Sequence, residues 1–287
     1  MVAVLDIVPR IRPHVNEFRL TLTTALSVTT ADVTGATTMY FTPHIGNRIA
    51  LYDGTNWATI ASAEVSLALG TLTSGLPYDV FAYNSSGTLT LEALAWTNGT
   101  TRATALVRQD GVWSKTGALT RRYVGTFYTT STTQTEDSAA KRFLFNADNR
   151  VRRAMSKVDT TNSWTYNTAA FREANGATTN RLQLVVGLAE DAVDVHVVGL
   201  ANYSVAAAVI GSGVGVDSTT VNSAQTFGGI NPAAGVGGLQ PARYVGTLSV
   251  GFHFLSWLEY GAGATTTFYG TAGTSAMQTG ISATIVN

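Results

Sequence analysis

An all-β fold is predicted for this 287-residue chain: two antiparallel β-sandwich, jelly-roll-like domains, an extended N-terminal arm and at most one short helix. Three observations predict it. Threonine, valine and aromatic residues, which suit a pleated surface, dominate the composition together with glycine, which suits the turns between strands. Apolar and polar residues alternate with a period of two in short runs. Turn signals separate those runs at intervals of about ten residues, the rhythm of a sandwich or barrel.

Residues 1–17 carry Pro9, Pro13, Arg10 and Arg12 and are read as the extended arm. Phe18, Leu20 and Leu22 then alternate with Arg19, Thr21 and Thr23, so one face of a strand is apolar. Strands are expected next at 38–42 and 48–52, the latter running into Asp53-Gly54, a favoured tight-turn pair with Trp57 on the returning strand. Further strands are expected at 64–69, 78–83, 88–96, 105–108 and 123–129. A second turn, Asp110-Gly111, is again followed closely by a tryptophan, Trp113. The spacing of Thr133 and Glu136 matches a helix capping box, in which hydroxyl and carboxylate satisfy opposite backbone amides, so the one helix is placed there.

A domain boundary is set at 160/161, giving a first β domain over 18–160 and a second over 161–287. The second restarts with strands at 181–186 and 193–198 and closes with strands near 244–257, 265–269 and 281–286. Residues 211–241 are rich in glycine, alanine, serine and threonine and are read as a long loop, either ordered on a neighbouring subunit or exposed for function. Arg122-Tyr-Val-Gly-Thr126 recurs as Arg243-Tyr-Val-Gly-Thr247, which suggests an equivalent strand in each half.

The charge balance is 18 basic against 18 acidic residues, with 13% of the chain charged. No global field draws such a chain to nucleic acid or anionic lipid. A surface so sparsely charged fits a subunit that buries much of itself against its own copies. The absence of cysteine excludes disulfides, thiolate metal sites and a cysteine nucleophile. Asp6 interrupts the apolar N-terminus and no basic segment precedes it, so neither a signal peptide nor a membrane-inserted segment is expected.

Few residues carry a catalytic pattern. Gly246-Thr-Leu-Ser249-Val-Gly251 has the wrong spacing for a nucleophile turn, and Ser249 is read as a strand residue. His14, His44, His196 and His253 form no paired-ligand motif. His196 with Asp194, Glu190 and Asp191 is the densest set of possible metal ligands, and the plainer reading is a solvated edge. Gly211-Ser-Gly213-Val-Gly215 lacks the third glycine of a dinucleotide loop at the required place. Lys141, Arg142, Arg150, Arg152, Arg153 and Lys157 form the main basic cluster, offset in sequence by Glu136, Asp137, Asp148 and Asp159. Trp57 and Trp113 are the candidate carbohydrate-binding residues, since an indole face complements the apolar side of a pyranose; the alternative is cross-strand packing. No catalytic residue, metal ligand or cofactor site is expected.

Several ordered blocks resemble a module of tailed-phage and prophage virion proteins: Phe18-Arg-Leu-Thr-Leu-Thr-Thr24, Gly46-Asn-Arg-Ile-Ala-Leu-Tyr-Asp-Gly54, Leu76-Pro-Tyr-Asp-Val-Phe-Ala-Tyr83, Arg121-Arg-Tyr-Val-Gly-Thr126 and Glu136-Asp-Ser-Ala-Ala-Lys-Arg142. The resemblance covers roughly residues 16–157. It implies a virion structural component made in the host bacterial cytoplasm, and carries over no site residues. The expected function is therefore non-enzymatic: a homo-oligomeric surface component, a trimer by preference, such as a capsid decoration, head spike or tail fibre part. Its partners would be other copies of itself, major capsid or tail proteins, and a host-surface glycan. Two other readings are a glycan-binding receptor-recognition module and an enzyme degrading envelope polysaccharide.

Overall fold

The computed structural model describes residues 12–205, 208–231, 233–270 and 277–287. Among them the chain is all-β, interrupted by one three-residue 3-10 turn at Ala174–Gly176. It divides into two compact units. One takes the chain up to Thr30, Gly35–Thr135 and Asn146–Asn149; the other takes Ala31–Thr34, Glu136–Phe145 and Arg150–Asn287.

In the first unit Phe18–Thr21 pairs with Thr38–Pro43, which pairs in turn with Val65–Ala68. A larger antiparallel sheet runs in the order Thr88–Ala95, Pro77–Ser85, Ala118–Tyr128, Val112–Lys115 and Leu106–Gln109. Arg48–Tyr52 and Trp57–Ala61 make a separate hairpin. The alternation read in the sequence becomes the core: Phe18 stacks on Phe41 at 4.9 Å between ring centroids, and Leu20, Met39, Phe81 and Phe127 are buried. Each such side chain contributes roughly 1.5–3 kcal/mol by leaving water.

The second unit is a sandwich. In one sheet Gly211–Val216 lies on one side of Gly251–Tyr260, with Arg181–Val186 and Phe171–Glu173 on the other. Lys141–Arg142 extends this sheet by a parallel pairing with Gln183–Leu184. The other sheet runs in the order Arg152–Val158, Gly280–Val286, Ala192–Tyr203, Gly238–Thr247 and Thr226–Phe227. Leu182, Leu184, Leu255 and Trp257 of the first sheet meet Val193, Val195, Val197, Ile281 and Ile285 of the second in one core.

Five local expectations are corrected. The boundary at 160/161 falls too late, because Arg152–Val158 pairs along its whole length with Gly280–Val286 and buries Met155 in the second core. The end of the supposed arm is held in the first unit: the Ala50 amide donates to the Val15 carbonyl at 2.8 Å, and the Glu17 amide to the Arg48 carbonyl at 2.9 Å. Residues 1–11 of that arm lie outside the described residues. No helix starts at Thr133. Thr135 instead bridges Thr129, its hydroxyl donating to the Tyr128 carbonyl, and the Glu136 carboxylate is taken by the Ser138 hydroxyl and the Lys141 ammonium.

Residues 211–241 are not one long loop. Gly211–Val216 is a strand, and a Cβ on Gly215 would fall 2.1 Å from the Ser218 carbonyl oxygen, so glycine is what lets the chain turn back there. Lastly, the repeated Arg-Tyr-Val-Gly-Thr lies in a strand of each unit but in unlike surroundings. Residues 122–126 are buried throughout, whereas Arg243, Val245 and Thr247 face solvent.

Candidate functional site

Asp-Gly turns position both candidate tryptophans. Asp110 and Gly111 hold φ of 50° and 86°, the pair of positive values that a two-residue hairpin requires, and Gln109 lies opposite Val112. At the other hairpin the loop is longer, with Tyr52 paired to Trp57, and the Asp53 carboxylate accepts from the amides of Thr55 and Asn56. Those two amides hold the Asp53 carboxyl below its ordinary range.

Folding brings these hairpins together. The Trp57 indole N–H donates to the Asp110 carboxylate at 2.9 Å, and the Gln109 amide donates to the same oxygen at 3.0 Å. Trp57 also packs against Tyr52, with ring centroids 5.5 Å apart. Trp113 lies directly across from Arg108, whose guanidinium sits 4.1 Å from the ring centroid while donating to the Gly111 carbonyl at 2.6 Å. Tyr52 thus packs at a tilt against Trp57, and the Arg108 guanidinium covers one face of Trp113.

Several of the other sequence candidates are engaged within the chain. His196 Nε2 lies 3.0 Å from the Asp194 carboxylate, which also takes the fork of Arg243 at 3.0 and 2.9 Å. Hydrogen bonds from Arg243 hold the Asp194 carboxyl below its usual range. Glu190 and Asp191 pair instead with Arg150. Among the described residues no three His, Asp or Glu side chains gather as a metal site. Of the basic cluster, Lys141 pairs with Glu136, while Arg142 and Arg153 share Asp137.

A constellation missing from the sequence reading forms around His253. Its Nδ1 lies 2.7 Å from the Asp217 carboxylate, and its Nε2 lies 3.5 Å from the Ser249 hydroxyl. No local spacing announces it, because Asp217 comes from the end of a different strand. The order is that of nucleophile, base and orienter, yet the same Nε2 is only 2.8 Å from the Ser249 carbonyl oxygen. A carbonyl oxygen can only accept, so that nitrogen carries a proton, and a general base needs a lone pair there. When His253 is protonated both nitrogens donate, and the buried imidazolium then braces the turn before Gly251 against Asp217.

Burial alone would lower the His253 pKa, but the hydrogen bond and charge of Asp217 with the Ser249 carbonyl outweigh it, and the net shift is upward. A raised folded-state pKa stabilises fully below the unfolded value, about 6.5, and the benefit is lost as pH rises through the folded value. Asp217→Asn is therefore expected to cost about 1 kcal/mol at pH 5.5, since Asp217 is partly exposed, and less at pH 9, read from urea midpoints. A cost growing with pH would contradict the brace.

Two buried carboxyls are shifted upward. For Asp79 burial is the largest cause, opposed by Arg102 and Thr126; for Glu259 it is again burial, opposed by Trp164 and Arg172. Neither lines the two large cavities of the second unit. Asp79 accepts from Arg102 and Thr126, and Glu259 accepts from Arg172, so both act as polar ties inside the fold. Among the described residues no helix is long and apolar enough to cross a membrane.

No protein-family model matches the chain, and no curated protein matches it. Among solved structures it aligns with the tryptic core variant of Cry1Da from Bacillus thuringiensis at 8% identity and a TM-score of 0.24, covering 88% of this chain and 48% of that one. It also aligns with the Bacillus thuringiensis insecticidal crystal protein Cry7Ca1 at 10% identity and a TM-score of 0.21, covering 94% and 50%. The chain spans about half the length of these proteins, and similarity this low carries no argument about fold or activity.

Proposed function

We propose that the chain is a non-enzymatic structural protein of a tailed-phage particle, a homo-oligomer on the virion surface that works by assembly as a capsid decoration, head spike or tail fibre component. The observation that carries this reading is how the surface is divided between charge and apolar groups. Many of the described charged side chains are tied to partners within the chain. Val198, Val209, Phe227, Leu239 and Val245, all in the second unit, are large apolar groups facing solvent. Such a surface favours association, and rotational symmetry repeats each favourable contact. The ordered blocks over residues 16–157 supply the phage context. On this reading the protein is made in the host bacterial cytoplasm, needs no cofactor, binds no nucleic acid, inserts in no membrane, and attaches to major capsid or tail proteins. Gold-labelled antibody viewed on intact particles of the encoding phage is expected to mark the head or the tail; label at neither would reject the assignment.

A second reading is attachment to a host-surface glycan through the paired hairpins, supported by Trp57 and Asp110 meeting beside Trp113. If it holds, Trp57→Ala and Trp113→Ala each abolish a glycan-array signal given by the parent protein. A signal unchanged in both variants, or absent from the parent, removes these tryptophans from any such role.

A further inference from the structure

Phe227 stands at the edge of the second unit as a ridge between two hollows. It is 56% exposed although it is a large aromatic group on a paired strand. One hollow, of about 350 Å³, is walled by Phe227, Phe171, Tyr260, Val209 and Ile210. Its rings are set at angles: Phe171 meets Phe227 edge-on at 6.3 Å and Tyr260 at 5.2 Å. The other, of about 500 Å³, has Phe227 as one wall and runs past Val198, Pro241 and Arg243. Leu239 and Val245 project from the same strand as Pro241 and Arg243, with the same alternation towards solvent.

The charge on this surface is already balanced. Arg243 gives both arms of its fork to Asp194, which also meets His196. An anionic glycan would find the Arg243 fork occupied, and a neutral pyranose needs several placed hydrogen-bonding groups that these mainly apolar walls do not provide. An apolar protein surface without unpaired charge suits the lining, and this face of the chain is itself one, with Phe227, Leu239 and Val245 exposed beside Arg243, whose charge is paired with Asp194. Every copy also brings both the ridge and the hollows, which is what a rotationally repeated contact requires.

We propose that the Phe227 ridge, with its flanking hollows, is the surface through which one copy of the second unit seats a second copy, ridge into hollow. This rests on the assembly reading above and specifies where the assembly is made. Phe227 is the central anchor, and replacing an aromatic anchor at a desolvated contact weakens association by about thirtyfold or more.

The cysteine-free chain allows a clean test. Single-cysteine variants Val209→Cys, in the wall of the hollow beside Phe227, and Ile45→Cys are reacted with a bulky maleimide; Val209 is 65% exposed in the single chain, and Ile45 is the control, 69% exposed and in the other unit. In the intact assembly, with Phe227 kept, Val209→Cys is expected to label at least about tenfold more slowly than Ile45→Cys. Phe227→Asp is expected to lower the sedimenting mass towards one chain, with an unchanged circular dichroism spectrum. Equal labelling rates, or an oligomer of parental mass in Phe227→Asp, would overturn this surface while leaving assembly intact. Native mass spectrometry showing a bound small molecule, and no second chain, would overturn it in favour of a ligand pocket. A parent protein that is a single chain at every concentration would instead defeat the assembly reading itself.

Discussion

Arg122→Met is expected to destabilise the first unit by about 3 kcal/mol or more, lowering its melting temperature by roughly 6–12 °C in calorimetry. Arg122 is 2% exposed in the middle of a sheet strand. One of its terminal nitrogens donates to the carbonyls of Pro13, Val15 and Ala50 at 2.8, 2.9 and 2.9 Å, and the other donates to the Asp148 carboxylate at 3.1 Å. The side chain therefore ties the entering chain, a hairpin strand and a turn to one another through charge-assisted bonds. Burial lowers its pKa and Asp148 raises it, with a net downward shift, yet an arginine keeps its proton at any ordinary pH. Most of the cost arises at the Pro13 and Ala50 carbonyls, since Val15 keeps the Ala50 amide and partly exposed Asp148 can take up water instead. Neighbouring Arg121 is the control. It pairs with Glu92 at 3.0 Å with both groups partly exposed, so Arg121→Met should cost about 1 kcal/mol or less. Equal effects at the two positions would show that the buried donors do not hold the unit together.

Asp137→Ala is expected to cost the second unit about 3–5 kcal/mol, measured as a fall in urea midpoint. Its two carboxylate oxygens serve different buried cations, Arg142 at 3.0 Å and Arg153 at 3.1 Å. Burial lowers the Arg153 pKa most, Asp137 opposes it, and the charge of Arg142 adds to the lowering. Removing the carboxylate therefore leaves two like charges together with little water. Deleting one of them should relieve part of the loss, so Asp137→Ala with Arg153→Met should be less destabilised than the sum of the single variants. A cost below about 1 kcal/mol for Asp137→Ala would mean that water reaches the site freely.

Much of the fold was legible because period-two alternation is local. Arg48–Tyr52 and Arg181–Val186 have the bounds that their apolar patterns predict, and the Asp110-Gly111 turn follows from residues able to hold positive φ. Gly211–Val216 escaped notice because glycine and serine have little strand propensity of their own; its pairing with Gly251–Tyr260 makes it a strand. The capping spacing at Thr133 misled because the carboxylate it needed has stronger partners in Ser138 and Lys141.

The candidate sites divide in the same way. Two tryptophans after two Asp-Gly turns could be picked out from spacing, but the bond from Trp57 to Asp110 joins residues 53 positions apart. The partnership of His253 with Asp217 likewise depends on strand pairing across 36 positions. Phe227 lies in a stretch whose composition reads as loop, and its exposure is a property of the sheet edge rather than of neighbouring residues.

Sedimentation equilibrium over a wide range of concentrations tests the assembly account most directly. The account predicts a mass that is a small whole-number multiple of 30.2 kDa, three by preference, and stable on dilution. A mass of 30.2 kDa at every concentration would contradict it.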